Sequence, residues 1–282
     1  MNVTIVGLGV IGGSYALALT DNKKYSLFGI DIDESCIDKI IKKNIIKDGA
    51  VCKTEKARDI IRNTDILVLC IYPDSIISFL EAHKSDFKNG LIITDVTGIK
   101  DYFKDKAIKL IPDKVDFVFS HPMAGREKKG FEYASKEVFK DANFIITPIE
   151  INSDRNIEII ENMAKDMGFG TVKKISTNAH DRIISFTSQL PHAIAVSIVN
   201  SDDLGVDTGE FTGDSYRELT RIAKINEDLW AQLFLGNKKN LLESIEKFEL
   251  ELDKIKKALV DSDEEYLKEM FRNSTIKREK IK

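Results

Sequence analysis

The first residues able to do chemistry form a glycine-rich turn near the amino terminus. The sequence Gly-Leu-Gly-Val-Ile-Gly follows an apolar run at residues 2 to 6 and leads into a helical stretch of small residues at 13 to 19. In that context the first glycine permits a tight turn, the second lets a pyrophosphate approach the backbone, and the third lets the helix pack on the strand. Amide groups at the helix N-terminus attract anions. The predicted cofactor-binding residues of this turn are Gly7, Leu8, Gly9, Val10, Ile11 and Gly12.

An acidic residue follows at the distance expected for a ribose contact. Asp31 ends the second apolar run and lies 19 positions after Gly12, where a carboxylate accepts hydrogen bonds from ribose hydroxyls. A carboxylate repels the ribose phosphate of NADP, and residues 32 to 35 contain no arginine to bind it. We therefore predict NAD as the cofactor. The alternative is a turn that only connects a strand to a helix, with Asp31 as a cap.

One of the four histidines stands where a ligand crevice is expected. His121 directly follows the apolar run Phe117 to Phe119, and the carboxyl ends of strands face the ligand in doubly wound sheets. A neutral imidazole there could accept a hydroxyl proton as a hydride leaves, or it could merely cap a turn. By contrast, His83 lies in a charged helix end and is predicted to be on the surface, and His180 is predicted to be a hinge or packing residue.

The fourth histidine shares a helix face with a serine. Ser188 and His192 are four residues apart, a spacing that places both side chains on one side of a helix. Pro191 removes a backbone donor just before His192, so it should kink the helix and expose polar groups near a pocket. The alternative is a buried histidine that is satisfied by local hydrogen bonds.

These residues need a sheet to bring them together, and the apolar runs predict one. Short runs rich in β-branched residues alternate with amphipathic stretches, as expected for strands buried on both faces of a parallel sheet. The pattern predicts an α/β, Rossmann-like, doubly wound domain over residues 1–174. The predicted strands are Val3–Val6, Leu27–Ile30, Ile66–Cys70, Leu91–Ile93, Phe117–Phe119 and Phe144–Ile146. The predicted helices between them cover residues 33–43, 75–82 and 153–167, with Asp33 and Ser153 as N-caps.

After Val172 the strand patterns end and helical patterns continue over residues 178–200, 215–223 and 226–271. An all-α domain is therefore predicted for residues 175–282. Its last helix carries an apolar stripe wider than one helix of a small domain needs. Such a stripe suits a helical dimer interface, although an internal bundle core has the same spacing. The stripe consists of Leu229, Leu233, Leu241, Leu242, Ile245, Phe248, Leu252, Ile255 and Leu259.

The composition of the 282 residues argues against several classes of protein. A formal net charge of −4 gives no attractive field for nucleic acid or for anionic lipid. No apolar run approaches the ~20 residues of a membrane span, and no basic leader precedes the first strand. We therefore expect a cytoplasmic protein with neither a membrane nor a nucleic-acid partner. The three cysteines, Cys36, Cys52 and Cys70, form no Cys-x-x-Cys pair, so we expect reduced thiols and no metal site.

Four motifs in this order resemble the prephenate dehydrogenase family across nearly the whole chain. The glycine turn with Asp31 comes first, followed by His121–Gly125 (His-Pro-Met-Ala-Gly) and Ser188–His192 (Ser-Gln-Leu-Pro-His). The last is Thr220–Ala223 (Thr-Arg-Ile-Ala), with Trp230 beyond it. The glycine turn alone is not specific, but the combination is. The resemblance implies an NAD-dependent oxidoreductase of tyrosine biosynthesis, which oxidises the ring hydroxyl of prephenate while the ring carboxylate leaves as carbon dioxide.

The resemblance also implies roles for individual residues. His121 accepts the proton of the ring hydroxyl, whereas Ser188, His192 and Arg221 hold the dianionic substrate, prephenate. A guanidinium suits a carboxylate because its paired donors match the two oxygens. Arg126 stands where relatives also have small polar residues, so it is either a further carboxylate contact or a solvent-facing side chain. The expected protein partner is a second copy of the chain, in a homodimer formed through the C-terminal helices.

The sequence departs from the family pattern in residues 95–100, Asp-Val-Thr-Gly-Ile-Lys. Relatives commonly carry a serine that assists the histidine where this chain has Gly98, and we do not assign that role to Thr97. No small βαββαβ regulatory domain of the kind that some relatives append is recognised, so tyrosine feedback would have to act at the substrate site. Two other functions remain open: an arogenate dehydrogenase of the same fold, and a non-catalytic NAD-sensing module. Such a module has no reason to keep the histidine base and the substrate-binding residues together.

Overall fold

A parallel sheet of six strands forms the centre of the amino-terminal part of the chain. The structure, a computed structural model, describes residues 1–125 and 128–281. The strands are β1 (Asn2–Val6), β2 (Ser26–Asp31), β3 (Asp48–Val51), β4 (Ile66–Leu69), β5 (Ile92–Asp95) and β6 (Asp116–Phe117). The helices that alternate with them are α1 (Val10–Leu19), α2 (Glu34–Lys42), α3 (Glu55–Arg62), α4 (Pro73–His83) and α5 (Lys104–Leu110). The strand order, β3-β2-β1-β4-β5-β6, is that of doubly wound dinucleotide-binding sheets, and it confirms the predicted fold class.

The order of the strands reverses beside β1, and a ligand crevice is expected there. β1 pairs in parallel with β2 on one side and with β4 on the other, so that Val6 lies opposite both Ile30 and Leu69. Because the chain winds away from this point in both directions, a crevice opens at the carboxyl ends of these strands. All four residues of β4 are buried, which explains why its sequence is a continuous apolar run.

A second, smaller sheet carries His121. It contains β7 (Phe119–Pro122), β8 (Asn143–Thr147) and β9 (Thr171–Lys174), with α6 (Asp154–Asp166) between the last two. β7 is antiparallel to β8, and β8 is parallel to β9. The sequence predicts one strand over residues 117–119, but the chain leaves the first sheet at Val118, whose amide still bonds to Ile93 of β5. His121 therefore lies within β7 and does not follow a strand, because the chain crosses there from one sheet to the next.

Four further short elements are not among the strands and helices named from the sequence. They are β3, β9, α3 and α5, of four to eight residues each. The β3 sequence is Asp-Gly-Ala-Val, and β9, Thr-Val-Lys-Lys, is partly exposed at an edge, so neither strand has an apolar run long enough to recognise. Both predicted N-caps are confirmed, since the side chains of Asp33 and Ser153 accept hydrogen bonds from the amides of Cys36 and Asn156.

The residues after β9 are mainly helical, as predicted. The helices are α7 (Thr177–Ile184), α8 (Leu190–Asn200), α9 (Asp214–Thr220), α10 (Glu227–Gly236), α11 (Lys238–Asp261) and α12 (Glu264–Glu279). The helix predicted over 226–271 is thus three helices, which break at Asn237 and at Ser262, a residue with φ of 54°. By compactness the chain divides into Met1–Asn237 and Lys238–Lys282. The domain boundary predicted at 174/175 stays a prediction.

One helical run differs from the expectation that no segment reaches the length of a membrane span. Thr177–Asn200, which joins α7 to α8, is 24 residues long and apolar enough to cross a membrane by length and composition alone. A helix in the core of a globular protein passes the same test. The first turns of this run contain a buried histidine and a buried aspartate, His180 and Asp181, whose partners lie in the second sheet and in the loop after β5.

Candidate active site

The glycine turn connects β1 to α1 and leaves room at the helix N-terminus. Gly7 has a φ of +86°, and a Cβ there would stand 2.5 Å from the carbonyl oxygen of Cys70, whereas a Cβ on Gly12 would overlap the carbonyl oxygen of Gly7. Gly9 differs from both, since a Cβ there would meet nothing within 4 Å. α1 begins directly after Gly9 and has no side-chain N-cap, so its first amides remain for an anion. The turn therefore fits a pyrophosphate, and space for a ligand explains Gly9 better than packing does.

Asp31 holds the glycine turn and also offers acceptors beside it. Its carboxylate accepts hydrogen bonds from the amides of Leu8, at 2.5 Å, and of Asp33, at 3.0 Å. Each carboxylate oxygen has room for a second hydrogen bond, so a ribose hydroxyl fits at either. The side chains of Leu8 and Val10 are buried, and Ile11 packs against the same core. These three residues consequently face the crevice through their backbones.

The His121 ring reaches a second histidine. The Nδ1 atom of His121 is 2.9 Å from Nε2 of His180, and Nδ1 of His180 is 2.7 Å from a carboxylate oxygen of Asp181. The two imidazole rings meet edge to face, with 5.1 Å between their centroids. His180 and Asp181 lie in α7 and are buried. The structure therefore brings the predicted base against a histidine that lies 59 residues further along the chain.

The donors and acceptors of this row have one consistent assignment. An ionised carboxylate only accepts, so Nδ1–H of His180 donates to Asp181, and Nε2 of His180 accepts from Nδ1–H of His121. The lone pair of His121 then lies on Nε2. Burial, together with the nearby His180 and Lys100, holds the pKa of His121 well below its ordinary value, and burial also lowers the pKa of His180. His121 is therefore neutral at pH 7 and able to accept a proton at Nε2.

Two buried charges fix the backbone just before His121. The Lys100 ammonium donates to the carboxylate of Asp95, at the end of β5, and to the carbonyl oxygen of Ser120, at 2.6 Å. The amide of Ser120 donates back to the Asp95 carboxylate at 3.1 Å, and its hydroxyl donates to the Asp95 carbonyl oxygen at 2.7 Å. Both charged side chains are fully buried, and these hydrogen bonds offset the cost of removing them from water. The second sheet is thereby fastened to the carboxyl end of the first.

Gly98, where the family pattern carries serine, lies against the proton-accepting edge of His121. A Cβ on Gly98 would be 3.7 Å from Cε1 and 3.8 Å from Nε2 of His121, and 3.6 Å from Leu233 in α10. These are ordinary contact distances, so a small side chain would fit. The hydroxyl of Thr97 points elsewhere, because it bonds to the Asp95 carboxylate and to the Ile99 carbonyl oxygen. The neighbouring threonine therefore does not replace the family serine.

Ser188 and His192 share a helix face, as their spacing predicts. Nδ1 of His192 donates to the carbonyl oxygen of Ser188 at 2.9 Å. The His192 ring stacks on Trp230 of α10, with 3.7 Å between the ring centroids. Trp230 and Leu233 are three residues apart in α10, and Leu233 borders Gly98. One helix thus runs from His192 to the neighbourhood of His121.

The distortion predicted from Pro191 takes the form of a π-helical turn. The turn, Ser185–Gln189, lies between α7 and α8, and the amide of Leu190 donates to the carbonyl oxygen of Ser185, five residues earlier. Single π turns of this kind are frequent at functional sites. Here it separates the helix that carries His180 from the helix that carries His192.

Arg221 begins a short 3₁₀ turn, Arg221–Ala223, that packs against α8. Its side chain is exposed, and none of the contacts above joins it to His121. Arg126 lies outside the described residues, so its predicted substrate contact stays a prediction. Within residues 1–125 and 128–281, no three His, Cys, Asp or Glu side chains are grouped so that they could hold a metal ion.

Sequence patterns missed His180 and Asp181 as members of this site. Both stand in a helical segment with ordinary spacing, and only the fold brings them to His121. The start of α7, Thr-Asn-Ala-His-Asp-Arg, is mostly polar, so nothing in the sequence distinguishes these two residues from their neighbours. The prediction for His83 was wrong, since this side chain is 1% exposed and lies 3.2 Å from the carboxylate of Asp86. Phe79, one turn earlier, covers its ring, which is why a charged sequence context did not keep it at the surface.

The fold and the site define a dinucleotide-dependent oxidoreductase, and family comparisons identify which one. The family model described as "Prephenate dehydrogenase, nucleotide-binding domain" matches residues 15–173. The model described as "Prephenate dehydrogenase, dimerization domain" matches residues 176–273. Together the two models cover most of the chain. This chain belongs to the prephenate dehydrogenase family.

Individual relatives agree with the family models. The prephenate dehydrogenase of Bacillus subtilis is 30% identical over 280 residues, which cover 96% of this chain and 74% of that protein. The cyclohexadienyl dehydrogenase of Zymomonas mobilis is 28% identical and covers 100% of this chain and 96% of its own length. Prephenate dehydrogenase from A. aeolicus, in a crystal structure with hydroxyphenyl propionate and NAD+, has a TM-score of 0.91 and 29% identity, covering 100% of this chain and 98% of that one.

Proposed function

We propose that this protein is an NAD-dependent prephenate dehydrogenase, which converts prephenate to 4-hydroxyphenylpyruvate and carbon dioxide. The observation that carries the proposal is the neutral, buried His121, whose Nε2 edge faces Gly98 at the end of the second sheet. A base held in this way suits removal of a proton from a ring hydroxyl. The similarity to enzymes of this name, over nearly the full length of the chain, supports the choice of reaction.

The proposed roles follow the positions of the side chains. Bound NAD supplies the hydride acceptor, and the glycine turn holds its pyrophosphate while Asp31 receives its ribose hydroxyls. His121 takes the hydroxyl proton at Nε2 and carries one positive charge afterwards. Ser188, His192 and Arg221 hold the two carboxylates of prephenate, with Arg126 as a further candidate. The pyrophosphate and the carboxylates are thus met by local donors in a chain whose net charge is −4.

The proposed assembly is a cytoplasmic homodimer formed through the C-terminal helices. In α11 only Leu241, Ser244 and Ala258 are buried, and α12 has no buried residue in its described length. The apolar side chains that remain exposed there are Leu242, Leu250, Leu252, Leu259, Val260, Phe271 and Ile276. Such a surface needs a partner, and the match to a dimerization domain over residues 176–273 favours a second copy of the chain. We place the change from nucleotide-binding to helical domain at residues 174/175.

The alternative substrate is arogenate, which carries an amino group where prephenate has a keto group. The similarity to a cyclohexadienyl dehydrogenase over the full chain keeps this substrate open. Both compounds offer the same ring hydroxyl to His121. The ratio of kcat/KM for the two substrates decides between them.

The test of the proposed reaction is NADH formation, followed by fluorescence, when the purified protein is mixed with NAD and prephenate.

The His121→Ala variant should lower kcat by about 10²- to 10⁴-fold, the usual contribution of a positioned base, with NAD binding retained. In the parent protein the base is lost on protonation, and because its pKa is lowered, activity should persist below pH ~6.5 before it falls. His83→Gln, which alters a buried histidine elsewhere, should keep kcat. Near-normal turnover of His121→Ala would exclude the role.

A further inference from the structure

Two side chains stand in a row behind the proposed base, His121. Asp181 Oδ1 is 2.7 Å from Nδ1 of His180, and Nε2 of His180 is 2.9 Å from Nδ1 of His121. His180 is fully buried and Asp181 is 1% exposed. His180 thus bonds through both ring nitrogens, and His121 bonds to it through Nδ1, the nitrogen on the far side of the ring from Gly98.

We propose that Asp181 and His180 are positioning residues that set the tautomer of His121 and stabilise its protonated form during turnover. The inference rests on the proposed function of His121 as the base. During the reaction one proton passes from the substrate hydroxyl to Nε2 of His121, and no proton leaves the row. The imidazolium that forms keeps its Nδ1–H on His180, whose ring is polarised in turn by the Asp181 carboxylate. A carboxylate can act in this way without becoming protonated itself.

The Asp181 carboxylate is surrounded by hydrogen-bond donors, so it faces His180 as an acceptor. It accepts hydrogen bonds from the backbone amides of Lys100, at 2.9 and 3.1 Å to its two oxygens, and of Asp101, at 2.9 Å. Together with His180 these donors surround both oxygens. Only an ionised carboxylate accepts from all of them, so the tautomers of both histidines are determined from this end.

These hydrogen bonds also build the base from three separate segments. Asp181 and His180 come from α7, the amides of Lys100 and Asp101 come from the loop after β5, and His121 comes from β7. The carbonyl oxygen of Asp181 accepts from the Asn237 amide group at 2.8 Å, which anchors α7 a second time. The base therefore exists only when α7 is docked on the first sheet.

The charged groups that surround the row come from the same segments. The Lys100 ammonium and the Asp95 carboxylate form a buried pair beside it, and the Asp101 carboxylate is turned to Lys104, at 3.1 Å. Lys100 opposes protonation of both histidines, whereas Asp181 and Asp95 favour protonation of His180. Removing the Asp181 carboxylate should therefore weaken the support that His180 gives to the protonated form of His121.

The first variant, Asp181→Asn, tests the tautomer. Two backbone amides donate to Oδ2, so the side-chain oxygen of asparagine must stay there and its NH₂ group must face Nδ1 of His180. That arrangement moves the proton of His180 to Nε2 and the proton of His121 to Nε2, which removes the lone pair from the substrate side. We expect kcat to fall by about 10²-fold or more, with the KM values for NAD and prephenate within about threefold of the parent.

The second variant, His180→Phe, keeps a buried ring and removes both nitrogens. We expect a similar loss of kcat, because the imidazolium of His121 loses its acceptor, and an acid limb of the pH profile that differs from that of the parent protein. His180→Gln restores an acceptor near Nε2 and should recover part of the rate. The matched control is His83→Phe, which removes a buried histidine bonded to a carboxylate outside the site and should leave the pH profile unchanged. Parent-like kcat and pH profile in Asp181→Asn and His180→Phe would overturn the proposal.

A measurement that needs no turnover separates this inference from the proposed function. The chain has four histidines, so ¹⁵N spectra of histidine-labelled protein can be assigned with one variant for each. We expect His121 and His180 each to carry the proton on Nδ1 at pH 7, and His121 to change tautomer in Asp181→Asn. An Nε2–H tautomer of His121 in the parent protein would overturn this inference even if prephenate is a substrate. Absence of turnover with the expected tautomers would instead contradict the proposed function alone.

Discussion

His121 and His83 are both buried, but their surroundings give them different properties. Burial lowers the pKa of each, and at His121 the neighbouring His180 and Lys100 lower it further. At His83 the carboxylate of Asp86 opposes the effect of burial, and that carboxylate is already shared with arginines on α3. His83 therefore ties two helices together. His121 instead has its Nε2 edge beside Gly98, where a substrate can approach.

Asp31 provides a prediction about the cofactor at the scale of a single residue. Asn at position 31 still accepts a hydrogen bond from the Leu8 amide, which keeps the glycine turn in place, but it loses the charge that repels a ribose phosphate. We expect Asp31→Asn to raise the KM for NAD about tenfold or more, the value of a charge-assisted hydrogen bond, and to reduce the preference over NADP.

The control is Asp33→Asn, because asparagine is as good an N-cap as aspartate and the position is exposed. Steady-state kinetics with both cofactors measures the two ratios. An unchanged NAD to NADP ratio in Asp31→Asn would show that Asp31 is not the ribose ligand.

At the scale of elements, the sequence predicts those whose apolar residues are periodic and long enough. β1, β2, β4, β5 and β8 are buried on both faces or nearly so, and their runs are recognisable. The position of the glycine turn follows from them. The contact between His121 and His180 could not be predicted, since it depends on how α7 docks across the end of the sheet. The same holds for the stacking of His192 on Trp230.

The π turn between α7 and α8 connects two parts of the site. Pro191 has no amide to donate to the carbonyl oxygen of Thr187, so a regular helix cannot continue through it. The extra residue of the π turn shifts the side-chain positions of α8 around the helix axis by about 100°, the angle per residue of a helix. The proposed substrate-binding residue His192 and the proposed positioning residue His180 therefore depend on the same irregularity.

The short turn that begins at Arg221 carries a prediction about substrate binding. The turn packs against α8, the helix that contains His192. If Arg221 binds a carboxylate of prephenate, Arg221→Ala should raise the KM for prephenate about 10- to 100-fold, the value of a charge-assisted hydrogen bond. Lysine should restore only part of the affinity, because a point charge cannot make two parallel hydrogen bonds.

A structural role for Arg221 predicts the opposite pattern. In that case an ion pair with Glu218 or Glu227 would be lost, and the variant would melt at a lower temperature with an unchanged KM. Steady-state kinetics and a thermal melt of both variants distinguish the two roles. Arg217→Ala is the control, since Arg217 lies one turn earlier in α9 and pairs with Asp214.

At the scale of the whole molecule, the two compact units differ in how much apolar surface they bury. The unit Met1–Asn237 contains the two sheets, whose cores are filled by residues of both faces. The unit Lys238–Lys282 consists of α11 and α12, and a pair of helices has no interior of its own. The apolar stripe in the sequence left a bundle core and a dimer interface open. The exposure of Leu242, Leu252 and Leu259, at 47%, 51% and 63%, favours the interface.

The last prediction concerns this assembly. A leucine buried at an interface contributes about 1.5–3 kcal/mol, whereas a lysine there would have to lose its hydration. Because Leu259 is exposed in the single chain, Leu259→Lys should leave the fold of the chain intact and dissociate the dimer. Sedimentation equilibrium should give twice 31.8 kDa for the parent protein and 31.8 kDa for the variant. Lys257→Glu, an exposed charge change on the other side of α11, should remain dimeric. A monomeric parent, or a Leu259→Lys variant with the mass of a dimer, would contradict an interface at this face of α11.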